Sequence, residues 1–478
     1  MVERRDGWRW GGLALALGAV LRAVFIAHHP RFSGDALLYS DLAHNMVSHH
    51  IYGFTESPAI RATLIRLPGY PIFLAMCFAL FGQGNLVSAL WVQAGFELLG
   101  CALLGLLAER LAGRRAGLAT VWLAALCPFT ANYCAMALTE TLCLFGSVVA
   151  LFALERWVVT FKRDGRGWGW ALVVGFGLIT GIIMRPDQGL VAAAVVPAML
   201  WVAMRARGVS FERKVMPALL ASLMVVVPLS LWAVRNWRVY HVFQPLAPRY
   251  ANDPGEANPY GFQRWYRTWA VEFKSTCDLY WTYDGSTIDM KDLPPRAFDS
   301  VAQRQETAAI YAQYNAVTQS TPEIDEEFAE LAEARVKDGP LRYYVWVPVV
   351  KELDMWLRPR TEMFKLPLDW WNVRAHVGAS MVELGYAAVN AVYLGLGIWG
   401  FLVWRRRGMP VIGCVMVVFV ALRCALLLTV DNSEMRYTLE GFPVVFVMAG
   451  MVFGSALCKP GSDPFDCAQD PDPGHPIL

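Results

Sequence analysis

The chain has 478 residues, of which 56% are hydrophobic and only 17% charged, with a formal net charge of +2. Soluble domains carry about 25% charged residues, so this balance excludes an ordinary soluble fold and points to a membrane protein. It gives no sign of a nucleic-acid partner, and none is expected. Of the ten cysteines, Cys77, Cys101, Cys127, Cys134, Cys143, Cys414 and Cys424 lie inside apolar segments, where a thiol behaves as a small hydrophobe. No Cys/His spacing suggests zinc or a disulfide framework.

A bilayer core requires about 20 apolar residues in a helix. In chain order the apolar runs predict spans at 10–27, 85–107, 117–136, 141–160, 168–184, 188–204, 215–233, 380–403, 409–430 and 438–457. Arg4, Arg5 and Arg9 precede the first run, which lacks a small-residue cleavage site and reads as a retained helix. Basic clusters also follow the second (Arg110, Arg114, Arg115), fourth (Lys162, Arg163, Arg166), sixth (Arg205, Arg207, Arg213, Lys214) and eighth runs (Arg405, Arg406, Arg407). With ten spans every cluster falls on one side, which the positive-inside rule makes the cytoplasm. Both termini are then cytoplasmic, in a cytoplasmic (inner) membrane.

The expected fold is an all-α polytopic membrane protein of about ten transmembrane helices. Its expected parts are an N-terminal bundle over 1–234 with an outer loop at 28–84, a large outer loop over 235–377, a C-terminal bundle over 378–458, and a disordered tail over 459–478. Within the first loop, Pro68 to Gly82 is apolar but too short to span comfortably, and reads as an interfacial or re-entrant helix. In the large loop, 299–337 reads as an amphipathic helix with Ala302, Ile310, Phe328 and Leu331 on its apolar side. Tyr343 to Leu357 reads as a further interfacial helix, because Lys351, Glu352 and Asp354 argue against a span.

Ionisable residues gather at the outer helix ends: Asp35, Glu140, Arg185, Asp187, Arg235, Glu434 and Arg436. Charges at membrane depth are costly unless paired or facing water, which makes them functional candidates; near the interface the same side chains also snorkel. The first loop reads Ser33-Gly34-Asp35-Ala36-Leu37-Leu38-Tyr39, then Arg66-Leu67-Pro68-Gly69-Tyr70-Pro71 opening an apolar run. Thr139-Glu140, Arg185-Pro186, Arg235-Asn236 and Glu434-Met435-Arg436-Tyr437 follow in order at later helix ends.

On these residues the chain resembles the polytopic glycosyltransferases of the C superfamily. Its closest likeness there is to family 39, the dolichyl-phosphate-mannose protein mannosyltransferases and the aminoarabinose transferases. One departure is Ala36, where protein mannosyltransferases pair a second acidic residue with the first. The resemblance implies a polyprenyl-phosphate-sugar lipid donor, inversion at the anomeric carbon, and an acceptor that is a glycan, a lipid or a protein outside the cytoplasmic membrane.

The residue types fit that chemistry. An attacking hydroxyl or amine needs a base, and a lipid-phosphate leaving group needs cationic donors rather than a proton. Asp35 is the expected general base, its other reading being a helix cap or a structural carboxylate. Arg66 and Arg235 are the expected phosphate ligands, or interfacial anchors. Tyr39, Tyr70, Glu140, Arg436 and Tyr437 are expected to position donor or acceptor, against aromatic-belt and ion-pairing readings. Asp41 and Asp187 rank lower. The histidines His28, His29, His44, His49 and His50 carry no matching carboxylate pattern and are read as solvated. No metal ligand is assigned, and a divalent cation is left open. The rival functions are a lipid-linked sugar transporter or flippase and a catalytically silent scaffold.

Overall fold

The computed structural model describes residues 2–454. The expected tail at 459–478 lies outside the described residues. The chain forms two compact units: one takes in residues up to Gly255, Val392–Val420 and the chain from Glu440, the other Glu256–Ala391 and Ala421–Leu439.

The expected all-α membrane architecture holds. Among the described residues six helices are long and apolar enough to cross a bilayer: Arg9–His28, Leu86–Ala112, Glu140–Asp164, Pro186–Arg205, Phe211–Tyr240 and Val377–Arg406. Gly69–Phe81, Trp168–Ile182, Val411–Leu427 and Phe442–Met451 are shorter apolar helices.

The first unit opens with α1 (Val2–His28) and α2 (Asp35–His49), then a hairpin of β1 (Gly53–Glu56) and β2 (Ala59–Ala62) that pair antiparallel. There follow α3 (Gly69–Phe81), α4 (Leu86–Ala112), α5 (Arg114–Ala125), α6 (Pro128–Tyr133), α7 (Glu140–Asp164), α8 (Trp168–Ile182), α9 (Gly189–Arg205) and α10 (Phe211–Tyr240). Helix α7 is the centre, packed on α4 and α8. At the α7–α8 crossing a Cβ on Gly146 would lie 2.8 Å from the Gly177 carbonyl oxygen, so only glycine allows this approach.

The expected span at 117–136 is not continuous, which corrects the sequence reading. Helix α5 ends at Ala125, Cys127 is extended (φ −65°, ψ 115°), and α6 restarts at Pro128. Proline disfavours helix at the residue before it, and that is the break.

A buried ion pair ties α1 to α4. The Arg22 guanidinium pairs with the Glu97 carboxylate, and the two are 1% and 7% exposed. The same guanidinium donates to the carbonyls of Gly18 (2.8 Å) and Ala125 (2.6 Å), so its charge is matched and most of its N–H groups have acceptors. Arg110 and Glu155 make a second pair at 2.7 Å, with Glu155 1% exposed.

The second unit has an aromatic core of its own. Helix α11 (Tyr260–Tyr266) is followed by α12 (Phe273–Ser275), α13 (Val301–Val317), α14 (Pro322–Asp338), α15 (Val347–Leu357) and, further along the chain, α18 (Arg436–Leu439). Helices α16 (Val377–Arg406) and α17 (Val411–Leu427) each run from one unit into the other, and α19 (Phe442–Met451) belongs to the first. Phe262 stacks on Tyr283 with centroids 3.6 Å apart, and Tyr283 on Tyr314 at 4.6 Å. Trp265, Trp269, Tyr311 and Phe328 belong to the same cluster.

The expected helical, amphipathic stretch over 299–337 is made of two helices. Thr318 adopts a left-handed conformation (φ 55°), and Thr321 caps α14 by accepting from the Ile324 N–H, with Pro322 at the first helical position. Ile310, Phe328 and Leu331 are buried as expected, whereas Ala302 is exposed.

Removing one partner of a buried pair strands a charge, which costs about 3–5 kcal/mol, whereas an apolar replacement of both is near neutral. Glu97→Leu is therefore expected to lower the thermal midpoint in detergent sharply. Adding Arg22→Met is expected to restore most of the loss.

Candidate functional site

Asp35 opens α2. Gly34 before it has φ +59°, a backbone conformation that glycine adopts without strain, and this turn sets the direction of the helix. A carboxylate in the first turn is favoured by the helix dipole. Arg66 Nη2 donates to Asp35 Oδ1 at 2.8 Å. Asp35 is 25% and Arg66 22% exposed, so this pair meets water, unlike Arg22 and Glu97.

The backbone at Arg66 is fixed from both sides. Tyr52 Oη donates to the Arg66 carbonyl at 2.9 Å. Three residues on, the Gly69 N–H donates to the Ile183 carbonyl at 3.0 Å, so close that a Cβ on Gly69 would lie 2.6 Å from that oxygen.

Tyr39 stands one turn after Asp35 and packs edge-on against Tyr70, centroids 5.1 Å apart. Both rings are buried. Tyr70 Oη donates to Gln93 Oε1 at 3.0 Å, and Gln93 Nε2 donates to the carbonyl of Cys134. Burial pushes the Tyr39 phenol well above the ordinary tyrosine range, against the pull of the Arg66 guanidinium, so it stays protonated.

Arg235, expected as a phosphate ligand, makes intraprotein bonds along the first loop. Nη1 donates to the Thr63 carbonyl at 2.6 Å and Nη2 to the Tyr52 carbonyl at 2.7 Å. Its guanidinium also lies 5.4 Å from the Tyr52 ring centroid and 5.0 Å from that of Trp232. Asp253 works beside it: Oδ1 accepts from the Leu64 N–H (2.8 Å) and Oδ2 pairs with Arg61 (3.0 Å). Asp41 anchors the hairpin to α2 by accepting from the Thr55 N–H (2.8 Å) and Oγ1 (2.7 Å).

Glu140 lies at the start of α7, 1% exposed, and accepts from Arg185 Nη1 at 2.9 Å. Arg185 also pairs with Asp187 (3.2 Å) and Glu440 (3.3 Å). Gln188 hydrogen-bonds Glu440 and accepts from Ser147 Oγ at 2.9 Å. Tyr39 feels the charges of both the Asp35–Arg66 and the Glu140–Arg185 pairs.

Arg436 and Tyr437 belong to the second unit. There Arg436 pairs with Glu434, whose Oε1 accepts from Tyr437 Oη at 2.7 Å. Arg423 Nε and Nη2 both donate to the Tyr437 carbonyl, at 2.9 and 2.7 Å.

The structure thus brings Asp35, Tyr39, Arg66 and Tyr70 together, and links Glu140 to them electrostatically. Sequence reasoning did not single out Glu440, Gln93 or Asp253. The first two stand inside apolar runs, which is the signal that was available for them. Among the described residues no group of three or more His, Cys, Asp and Glu side chains is arranged to hold a metal ion.

Comparison with known proteins finds a likeness of the same kind over part of the sequence, and in the fold. Residues 66–232 match the family model described as dolichyl-phosphate-mannose-protein mannosyltransferase. The archaeal oligosaccharyltransferase AglB from Archaeoglobus fulgidus, in complex with an inhibitory peptide and a dolichol-phosphate, superposes with a TM-score of 0.50 at 12% identity, over 92% of this chain and 50% of that one. ArnT from Cupriavidus metallidurans bound to undecaprenyl phosphate gives 0.39 at 16% identity, over 93% of this chain and 78% of that one. The AglB match shows a shared fold, and the chain spans about half the length of AglB. No curated protein matches this sequence.

Arg235→Lys retains charge but loses the fork that reaches two carbonyls. Losing those bonds is expected to destabilise the first loop by about 1–2 kcal/mol, read as faster hydrogen exchange over residues 53–62. Unchanged exchange would show that Arg235 does not hold the loop.

Proposed function

We propose that the chain is a membrane glycosyltransferase that moves a sugar from a polyprenyl-phosphate donor to an acceptor on the outer face of the cytoplasmic membrane. The observation that carries this reading is the half-open Asp35–Arg66 pair, a carboxylate and a guanidinium in contact at 2.8 Å and both reachable by water. The shared fold with AglB and the mannosyltransferase match over 66–232 support the reaction class. The basic clusters, which fall on one side when ten segments cross the bilayer, support the orientation.

In this reaction the acceptor oxygen or nitrogen attacks the anomeric carbon on the face opposite the phosphate. Its proton passes to the Asp35 carboxylate. The bond from the anomeric carbon to the phosphate oxygen breaks, its electron pair stays with the phosphate, and configuration inverts. Unlike an alcohol leaving group, the phosphate needs no acid; it needs hydrogen-bond donors.

Arg66 serves both ends of the step. A guanidinium carries five N–H donors, enough to orient Asp35 and hold a phosphate oxygen at once. Protonated Tyr39 keeps a hydrogen-bond donor available for the substrate, and the Tyr70 ring packs against it. Glu140 and Arg185 add a smaller charge effect at Tyr39 after those of Arg66 and Asp35. Arg235 holds the first loop, and any contact it makes with phosphate is secondary to that. For Arg436 and Tyr437 the donor- or acceptor-positioning role stands as the sequence alone suggests it. The donor is a lipid-linked sugar, with membrane lipid around its tail.

The reading is tested by transfer from undecaprenyl-phosphate sugars with wild type beside Asp35→Asn and Arg66→Lys. Asp35→Asn is expected to lower kcat about 10²–10⁴-fold with donor binding and thermal midpoint unchanged. Arg66→Lys is expected to raise the donor KM and lower kcat together. Full turnover by Asp35→Asn would remove the proposed base, and absence of turnover by wild type with every donor and crude envelope acceptor would sink the reaction class.

A further inference from the structure

In the second unit three side chains each bury one polar atom that has no hydrogen-bond partner among the described residues. Arg358 leaves the end of α15 and is 5% exposed. Its guanidinium lies between the rings of Phe273 (5.6 Å) and Trp371 (6.0 Å), and Nη2 donates to the Leu368 carbonyl at 2.6 Å. Nη1 has no hydrogen-bond partner, the Asp354 carboxylate standing 3.9 Å away. Asp354 is itself engaged by Ser433 Oγ at 3.1 Å, and burial holds its pKa above the ordinary carboxylate value.

Glu383 on α16 is 3% exposed; Oε1 accepts from Thr361 Oγ1 at 3.4 Å, while Oε2 has no partner. Ser380, one turn earlier on the same face, is fully buried, and its Oγ has none either. The charges of Arg358, Asp369 and His376 all reach Glu383.

Buried polar groups are almost always hydrogen-bonded, so three unpartnered ones gathered together call for a ligand that both donates and accepts. A phosphate offers mainly acceptors and is repelled by Glu383. An ammonium offers only donors and is repelled by Arg358. A sugar hydroxyl does both: it donates to a carboxylate oxygen and accepts from a guanidinium or hydroxyl. Trp371, 51% exposed beside Arg358, adds an aromatic face of the kind that the C–H groups of a pyranose cover.

We propose that the second unit carries a carbohydrate-binding site of its own, in which Arg358, Ser380 and Glu383 take the hydroxyls of a neutral sugar and Trp371 covers one face of its ring. The proposal does not rest on the transferase reading, because every group it uses lies within this unit.

It is tested by saturation-transfer NMR on the full chain, in a detergent without a sugar headgroup. The probes are the methyl glycosides of mannose, glucose, galactose and N-acetylglucosamine, with inorganic phosphate as a separate arm. Saturable binding of at least one glycoside and none of phosphate is expected. Glu383→Gln is expected to weaken it about tenfold or more, since a hydrogen bond to a charged acceptor is lost. If Glu383→Gln does not fold, Trp371→Ala, altered at a half-exposed ring, is expected to weaken binding too. No glycoside binding, phosphate binding in its place, or wild-type affinity in a folded variant would overturn the proposal and leave ordered water as the partner of these groups.

Discussion

The constraint on which this structure depends is that lipid offers no partner for a charge or a backbone dipole. Each charge carried into the apolar bundle must therefore find its match within the protein. Arg22 finds Glu97 and two carbonyls, Glu155 finds Arg110, and Arg185 gathers Glu140, Asp187 and Glu440. These pairs fix which helices touch and at what register. Glycines allow the approach, since at Gly18 a Cβ would lie 2.7 Å from the Ala125 oxygen that Arg22 needs.

Against that background the Asp35–Arg66 pair differs in kind. It is held by a loop whose backbone is tied down by Tyr52, Arg235 and Asp253, yet its side chains remain open to solvent. Placement by neighbours and openness at the tip are what a reacting pair requires: geometry set in advance, and access for a substrate. The hairpin is held to α2 by Asp41, which accepts from the Thr55 N–H and hydroxyl.

The membrane architecture was legible because an apolar run long enough to cross a bilayer seldom occurs in a protein that does not cross one. The runs at 85–107, 141–160 and 215–233 each contain or overlap a long helix. The break at Cys127–Pro128 was not credited, because hydropathy averages over a proline that local geometry obeys. The hairpin was missed because four-residue strands such as Gly53–Glu56 show no alternation long enough to count. Asp35 and Arg66 could be singled out by residue type and by their place in the first loop. The partners of Arg235 could not, since nothing in the chain order shows that the carbonyls of Tyr52 and Thr63 converge on it. Buried pairs are hidden for the same reason, Arg22 and Glu97 being 75 positions apart.

The most direct measurement is a structure of the full chain with undecaprenyl phosphate bound in a lipid nanodisc. The account requires the phosphate within hydrogen-bond distance of the Arg66 guanidinium, with Asp35 remaining beside it and facing the space where an acceptor would stand. A phosphate bound elsewhere, with the Asp35–Arg66 pair closed and untouched, would contradict it.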